Sequence, residues 1–230
     1  MSLTLKSRFA GNVYIIQCEG RLVLGPEATA LEAALDLAAH EFHRFVLSVA
    51  ALTRLDSIGL GVLVRYAERL RRRGGDIRLA APPAFLVTLL DLTRISNTLQ
   101  SFETEEEAIL SYLRQRANED PQVKRGPRVL VVDESADLCV FVGTILRQRG
   151  FDVQSSCLLR DAKVLLQVEP VEFILAGPGT PSRPAEMVLS TLTPLAPKAV
   201  PLRLDDDFKI RDAQEATAVL LQMFSALGSI

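Results

Sequence analysis

The apolar positions of this chain fall into two patterns, short buried-looking runs and longer stretches with a period near 3.6, and the two alternate along its length. Leu3, Leu5 and Lys6 alternate, Ala10-Gly11-Asn12 turns the chain, and Val13 to Cys18 continues it, which predicts a hairpin. Gly25-Pro26 opens a helix with proline at its first position, where the missing N–H costs nothing, and Leu31, Ala34, Leu35, Ala38 and Phe42 share one face. Phe45 to Ala50 reads as a buried strand. A helix follows in which Leu60, Leu63, Val64, Ala67 and Leu70 keep the helical period and Arg65, Arg69 and Arg72 take the other side. Arg71-Arg72-Arg73 with Gly74-Gly75 closes it, cations meeting the negative end of the helix dipole and glycine supplying the left-handed cap. Asp76 to Ala81 predicts a strand, Pro82-Pro83 a helix running through Leu92, and Leu99 to Phe102 a last short strand. Thr104 and Glu107 form a capping box for the helix in TEEEAILSYL.

After a polar stretch, Arg114 to Pro127, the rhythm resumes. Strands are expected at Arg128 to Val132, Phe151 to Ser155 and Val171 to Ala176, with helices from Leu138 through Leu146 and from Asp161 to Val168. A βαβαβ order with acidic residues after the first strand predicts a doubly wound parallel sheet. Strand-like Ala199 to Leu204, the run Asp205-Asp206-Asp207 and a helix from Asp212 to Leu227 complete the chain.

The expected organisation is therefore a domain at 1–115, a linker at 116–126 and a second domain at 127–230. At 230 residues with 48% hydrophobic and 23% charged side chains, the chain can bury two cores. A net charge of −2 gives no basic footprint for nucleic acid, and no apolar run approaches the ~20 residues of a membrane span. Cys18, Cys139 and Cys157 are widely separated, and an odd count argues against a disulfide framework. A cytoplasmic location is the default expectation. His40 and His43 flank a helix-to-strand junction with no metal-ligand companion nearby.

Chemistry concentrates at Leu55 to Gly61, LDSIGLG, where the buried run gives way to the long helix. Asp56-Ser57 stands at a helix N-terminus, where backbone N–H groups lack partners and an anion is favoured. Two readings are open: Asp56 or Ser57 is an N-cap, or Ser57 is presented to a partner over a first turn left bare by Gly59 and Gly61. The arginine run, likewise, is either a solvated helix end or a docking patch for an acidic partner.

The hairpin start, the run VAALTRLDSIGLGVLVRYAERLRRRGG followed by a strand, and the closing strand before Glu-Glu-Ala resemble the STAS domain of bacterial anti-sigma-factor antagonists over about residues 3–115. The resemblance is strongest at Asp56-Ser57-x-Gly59-Leu60-Gly61 and Gly74-Gly75. It implies that Ser57 is phosphorylated by an anti-sigma serine kinase, with Asp56, Ile58, Gly59, Leu60 and Gly61 at the partner-binding surface. Ile58 departs from the pattern, since that position is commonly small or hydroxylated. A phosphate on Ser57 would add nearly two negative charges beside Asp56 at a surface that binding must bury, while the helix N-terminus offers partial compensation.

VLVVDES, the glycine before FDV and VEFILAGPGTP resemble a response-regulator receiver domain over about residues 127–207. Asp133 and Glu134 match the acidic pair that helps hold magnesium. Pro181 matches the proline four residues after the phosphate-accepting aspartate, which puts Gly177 in the acceptor position and forbids aspartyl phosphorylation. No lysine–proline pair ends a fifth strand, and too few residues follow for the remaining elements. Asp205 to Asp207 either joins Asp133 around a cation or is a solvated loop before the helix. The fold expected is α/β: a STAS-like mixed sheet with helices, then a truncated, doubly wound parallel-sheet receiver-like domain. Its missing strand leaves an edge, to be covered by the C-terminal helix or by a second protomer in a homodimer.

No nucleophile–base–orienter set and no phosphate-cradling G-x-x-x-x-G-K-[ST] loop is present, so neither an enzyme nor a cofactor or bound metal is expected. The function expected is a partner-switching regulator that binds an anti-sigma kinase or related protein. The alternative is a non-phosphorylated STAS scaffold or transport-complex subunit using the same surface for contact alone.

Overall fold

The computed structural model describes residues 2–119 and 126–226 and divides into two compact units, Met1–Tyr112 and Leu113–Ile230. In the first unit, β1 (Thr4–Ala10) and β2 (Val13–Leu22) form the expected hairpin, Ala10 opposite Val13, with Gly11 in the left-handed region. Helix α1 (Pro26–Ala38) follows with Pro26 at its first position and Leu31, Leu35 and Ala38 buried. β3 (Arg44–Ser48), β5 (Asp76–Ala80) and β6 (Gln100–Phe102) pair in parallel, giving a mixed sheet of order β1-β2-β3-β5-β6.

A strand the hydrophobic pattern did not announce, β4 (Leu52–Leu55), runs parallel to the far end of β2, with Leu55 opposite Leu22. Only Leu52 of its four residues is fully buried, so no period shows. Helix α2 (Ser57–Arg71) covers the sheet with Leu60, Leu63, Tyr66, Ala67 and Leu70 inside. The arginines of α2 are mostly engaged: Arg65 pairs with Glu32 at 2.6 Å, Arg69 with Asp36 at 2.6 Å, and Arg71 with Asp76 at 3.0 Å. Gly74 takes φ 76°, and Gly75 N–H returns to Leu70 O at 2.9 Å, closing the helix as expected. Helix α3 (Ala84–Leu92) lies between β5 and β6 in the chain.

The capping box before α4 (Glu105–Glu119) closes one residue further back than its usual form: Thr104 Oγ1 accepts from Glu107 N–H, but Glu107 Oε2 accepts from Glu103 N–H. Arg8 and Gln17 both bind the Glu105 carboxylate and tie α4 to the hairpin. Because α4 reaches Glu119, the first residues of the expected linker 116–126 are helical. Residues 120–125 lie outside the described ones.

In the second unit, β7 (Arg128–Val132), α5 (Ala136–Gln148), β8 (Asp152–Ser156), α6 (Leu159–Leu166) and β9 (Phe173–Ala176) alternate as expected. A small hairpin, β10 (Gly179–Thr180) with β11 (Arg183–Pro184), leads into α7 (Ala185–Leu192), then β12 (Val200–Arg203) and α8 (Ala213–Ser225). The parallel sheet has the order β12-β9-β7-β8, which turns direction between β7 and β9.

Helix α8 does not cover the edge strand β12. It lies on a sheet face, where Phe224 meets Phe151 at 4.9 Å and Phe173 at 5.3 Å between ring centres, and Leu220 is buried beside it. The edge itself is four residues long and carries Pro201, which has no N–H to offer another strand. Leu227, the expected end of the last helix, lies outside the described residues.

Candidate functional site

The turn from β4 into α2 assigns separate tasks to Asp56 and Ser57. Asp56 is the N-cap: extended at φ −106°, ψ 179°, its Oδ1 accepts from Ile58 N–H at 3.0 Å and from Gly59 N–H at 2.8 Å. Its Oδ2 accepts from Leu24 N–H at 2.8 Å, so one carboxylate joins the loop before α1 to the start of α2. The bond from Gly59 N–H, with those from Leu24 and Ile58, holds the Asp56 carboxyl below the usual carboxylate range.

With the cap supplied by Asp56, Ser57 is left as the first helical residue. It is exposed, and its hydroxyl has no hydrogen-bond partner among the described residues. Its neighbour Ile58 is 42% exposed, and Leu24, whose N–H binds Asp56, is 70% exposed. Arg54 lies close enough to act on the Asp56 charge. The rim of this turn thus combines the exposed apolar surface of Leu24 and Ile58 with the charges of Asp56 and Arg54.

The two glycines of the turn are not equivalent. A Cβ on Gly59 would stand 2.5 Å from Leu22 O and 2.9 Å from side-chain carbons of Leu22 and Leu55. Gly59 therefore lets the first turn sit directly on β2 and β4, and its bareness faces inward. Leu60 is buried at 8% and belongs to the core. Of the expected partner-binding residues, these two therefore face the core, while Ile58 is exposed. Gly61 has only the end of the Arg65 side chain nearby, at 3.4 Å, and keeps the open character expected of it.

The carboxyl end of the second sheet was expected to carry a degenerate acidic pocket of Asp133 and Glu134 beside Gly177. Asp133 is buried at 4%, and its Oδ1 accepts from Ser135 N–H at 2.8 Å. Its Oδ2 receives Gly179 N–H at 3.4 Å, and the Lys209 ammonium lies 2.9 Å from Oδ1. Glu134 turns away to Arg183 at 3.3 Å. Gly177 follows β9, and a Cβ there would lie 2.1 Å from Asp133 Oδ2 and 2.6 Å from its Cβ and Cγ. Asp133 thus fills the space an acceptor side chain at position 177 would need.

The magnesium that the receiver resemblance implies does not fit this arrangement. The Asp133 carboxylate already faces an ammonium, and Glu134 is drawn to an arginine. Asp205 is held by Arg211 at 2.6 Å and Asp206 by Arg203 at 2.6 Å, which leaves these two as arginine partners. Among the described residues no group of three or more His, Cys, Asp or Glu is arranged to hold a metal ion. Lys209 escaped the sequence reading because it follows the three aspartates, with no proline after it and no spacing to a strand that would mark it.

The same edge brings together two of the cysteines. Cys139, in the first turn of α5, is buried, and its Sγ lies 3.5 Å from Asp133 O and 3.9 Å from Ser156 O. Cys157, the residue after β8, is half-buried and near enough to the Cys139 thiol to act on its ionisation. The neighbouring Cys157 thiol, with burial, pushes the Cys139 thiol up, and Cys139 in turn holds Cys157 below the ordinary thiol range. Cys18 is buried alone in β2, and burial pushes it up to about 12.

Residues 4–108 match the domain family described as the STAS domain, so the first unit carries a STAS domain over those residues. Solved structures similar to this part of the chain include a putative anti-sigma factor antagonist from Thermotoga maritima, at 19% identity over 46% of this chain and 92% of that chain, TM-score 0.44. They also include the phosphorylated Bacillus cell fate determinant SpoIIAA, at 18% identity over 48% of this chain and 99% of that chain, TM-score 0.40. A sulfate transporter family protein from Wolinella succinogenes is similar at 22% identity over 44% of this chain and 84% of that chain, TM-score 0.39. No curated protein matches the chain. No described helix is long and apolar enough to cross a membrane.

Proposed function

We propose that the chain is a partner-switching regulator of the anti-sigma-factor-antagonist kind, whose STAS domain binds a serine kinase or related regulatory protein and is controlled by phosphorylation of Ser57. The observation that carries this reading is the division of labour at the α2 start: Asp56 does the capping, and Ser57 is left exposed and unbonded beside the exposed Ile58. A serine needed as a cap would be tied down; this one is available to an enzyme.

The electrostatics support a switch. Two first-turn N–H groups, those of Ile58 and Gly59, are already given to Asp56. A phosphate on Ser57 therefore gains less from the helix N-terminus than an unoccupied terminus would offer, and it sits beside a carboxylate. It projects into the rim a partner has to desolvate, so it opposes binding while leaving the core of α2 in place. Ile58, with 42% of its surface exposed, supplies apolar contact area to the unmodified form.

The second unit, on this reading, is a receiver-like module without phosphochemistry of its own. The order β8-β7-β9-β12 supports a receiver-type sheet lacking its last strand, and the contact of Asp133 with the space beside Gly177 supports the loss of the acceptor. To test the function, the full chain is incubated with serine kinases and ATP and phosphate is mapped by mass spectrometry. Phosphate on Ser57, absent in Ser57→Ala, is the expected result. A stable complex with a kinase that never phosphorylates Ser57 would instead establish the scaffold reading.

A further inference from the structure

We propose that Cys139 and Cys157 form a reversible redox pair, in which a peroxide converts the two thiols into an intramolecular disulfide at the carboxyl end of the second sheet. Sequence spacing separates these residues by a helix and a strand, and only the fold joins them. Cys139 reaches over the end of β7 from the first turn of α5, and its sulfur stands 3.9 Å from the carbonyl oxygen of Ser156. That carbonyl belongs to the peptide bond that leads into Cys157, so the Cys139 sulfur stands beside the backbone of Cys157, and the two thiols are near enough to act on each other's ionisation. The third cysteine, Cys18, is buried in the first unit with neither an accessible face nor a thiol partner.

The accessibilities assign the roles. Cys157 is half-buried and can meet a small oxidant, whereas Cys139 is fully buried and can meet only Cys157. In the first step the Cys157 sulfur attacks one oxygen of hydrogen peroxide; the O–O bond breaks, and after proton transfer the products are a sulfenic acid and water. In the second, the Cys139 sulfur attacks the Cys157 sulfur, the S–OH bond breaks, and the hydroxyl leaves with the Cys139 proton as water. Two thiols and one peroxide give one disulfide and two waters. The bridge fastens the first turn of α5 to the end of β8, beside the buried contact of Asp133 with Lys209.

The test uses the full-length chain treated with a small excess of hydrogen peroxide, then alkylated under denaturing conditions and digested with trypsin. Arg147 and Arg149 lie between the two cysteines, so they leave in separate peptides unless a bridge holds them. The expected product is a Cys139–Cys157 linked pair that dithiothreitol separates, with Cys18 recovered as an alkylated thiol. Cys139→Ser is expected to leave Cys157 as a sulfenic acid trapped by dimedone, and Cys157→Ser to leave Cys139 unoxidised. Recovery of Cys139 as an alkylated thiol while wild-type Cys157 is overoxidised, unreacted or bridged to a second chain would overturn the proposal. That mapping is made on the wild-type protein and does not depend on either variant folding.

Discussion

Replacing each glycine of the LDSIGLG turn by alanine should move stability in opposite directions. At Gly59 the new methyl would stand 2.5 Å from Leu22 O, a backbone atom that cannot swing away, and 2.9 Å from Leu22 and Leu55 carbons. Overpacking costs about 1–3 kcal/mol, and a clash with a fixed backbone atom falls in the upper part of that range, about 2–3 kcal/mol. Alanine in a helix is favoured over glycine by about 1 kcal/mol, so the net loss for Gly59→Ala is about 1–2 kcal/mol. At Gly61 the nearest atom is the mobile end of Arg65 at 3.4 Å, and Gly61→Ala should keep the propensity gain, about 0.5–1 kcal/mol. The chain contains no tryptophan and three tyrosines, Tyr14, Tyr66 and Tyr112, all in the first unit, so tyrosine fluorescence reports the unfolding of that unit. In urea, with a slope of about 1.5 kcal/mol per molar, the two variants should separate by about 1–2 M in midpoint, with wild type between them. Two variants shifted the same way would refute the view that Gly59 seats the helix and Gly61 faces open space.

Three further outcomes are expected. Asp56 has its carboxyl held below the usual range in the folded state, so its stabilising effect is present above the unfolded carboxylate range near pH 4 and lost as pH falls through the lower folded value. The gap in urea midpoint between wild type and Asp56→Ala should therefore be full at pH 7 and shrink below pH 4; a gap that widens in acid would contradict the capping geometry. Gly177→Asp should not restore aspartyl phosphorylation, because Asp133 stands in the way. Incubation with a small acyl phosphate should leave no acid-stable, hydroxylamine-sensitive label at residue 177, and its appearance would show that Asp133 yields. Phe224→Ala removes a ring packed on Phe151 and Phe173 and should cost the second unit about 3–5 kcal/mol, read as lost amide-exchange protection in β8 and β9. Unchanged protection there would mean that α8 does not stabilise the sheet.

Much of this architecture is legible because it rests on local rules. Gly11, Pro26, the Gly74-Gly75 stop and the Thr104–Glu107 box each mark an element boundary by backbone chemistry that needs no tertiary context. Strand β4 was not legible, since a single fully buried residue in four leaves no alternation to read. At the site, residue type alone could not divide the capping role between Asp56 and Ser57. The third bond, from Leu24 N–H, decides it, and that contact spans 32 residues. Gly59 and Gly61 look alike in sequence and differ only in what lies beneath them. Lys209 and the Cys139–Cys157 contact depend on which strand ends meet, and this follows from the sheet order β12-β9-β7-β8. Hydrophobic period does not encode it.

The central claim is that a phosphate on Ser57 switches partner binding without unfolding the domain. Its most direct measurement compares the affinity of a captured partner for the unmodified chain, the Ser57-phosphorylated chain and Ser57→Asp, alongside the tyrosine-detected unfolding midpoint of each. Both charged forms should bind more weakly by over ~1 kcal/mol, about fivefold or more, with the midpoint almost unmoved. Equal affinity across the three forms would contradict the account, as would weakened binding accompanied by loss of the folded first unit.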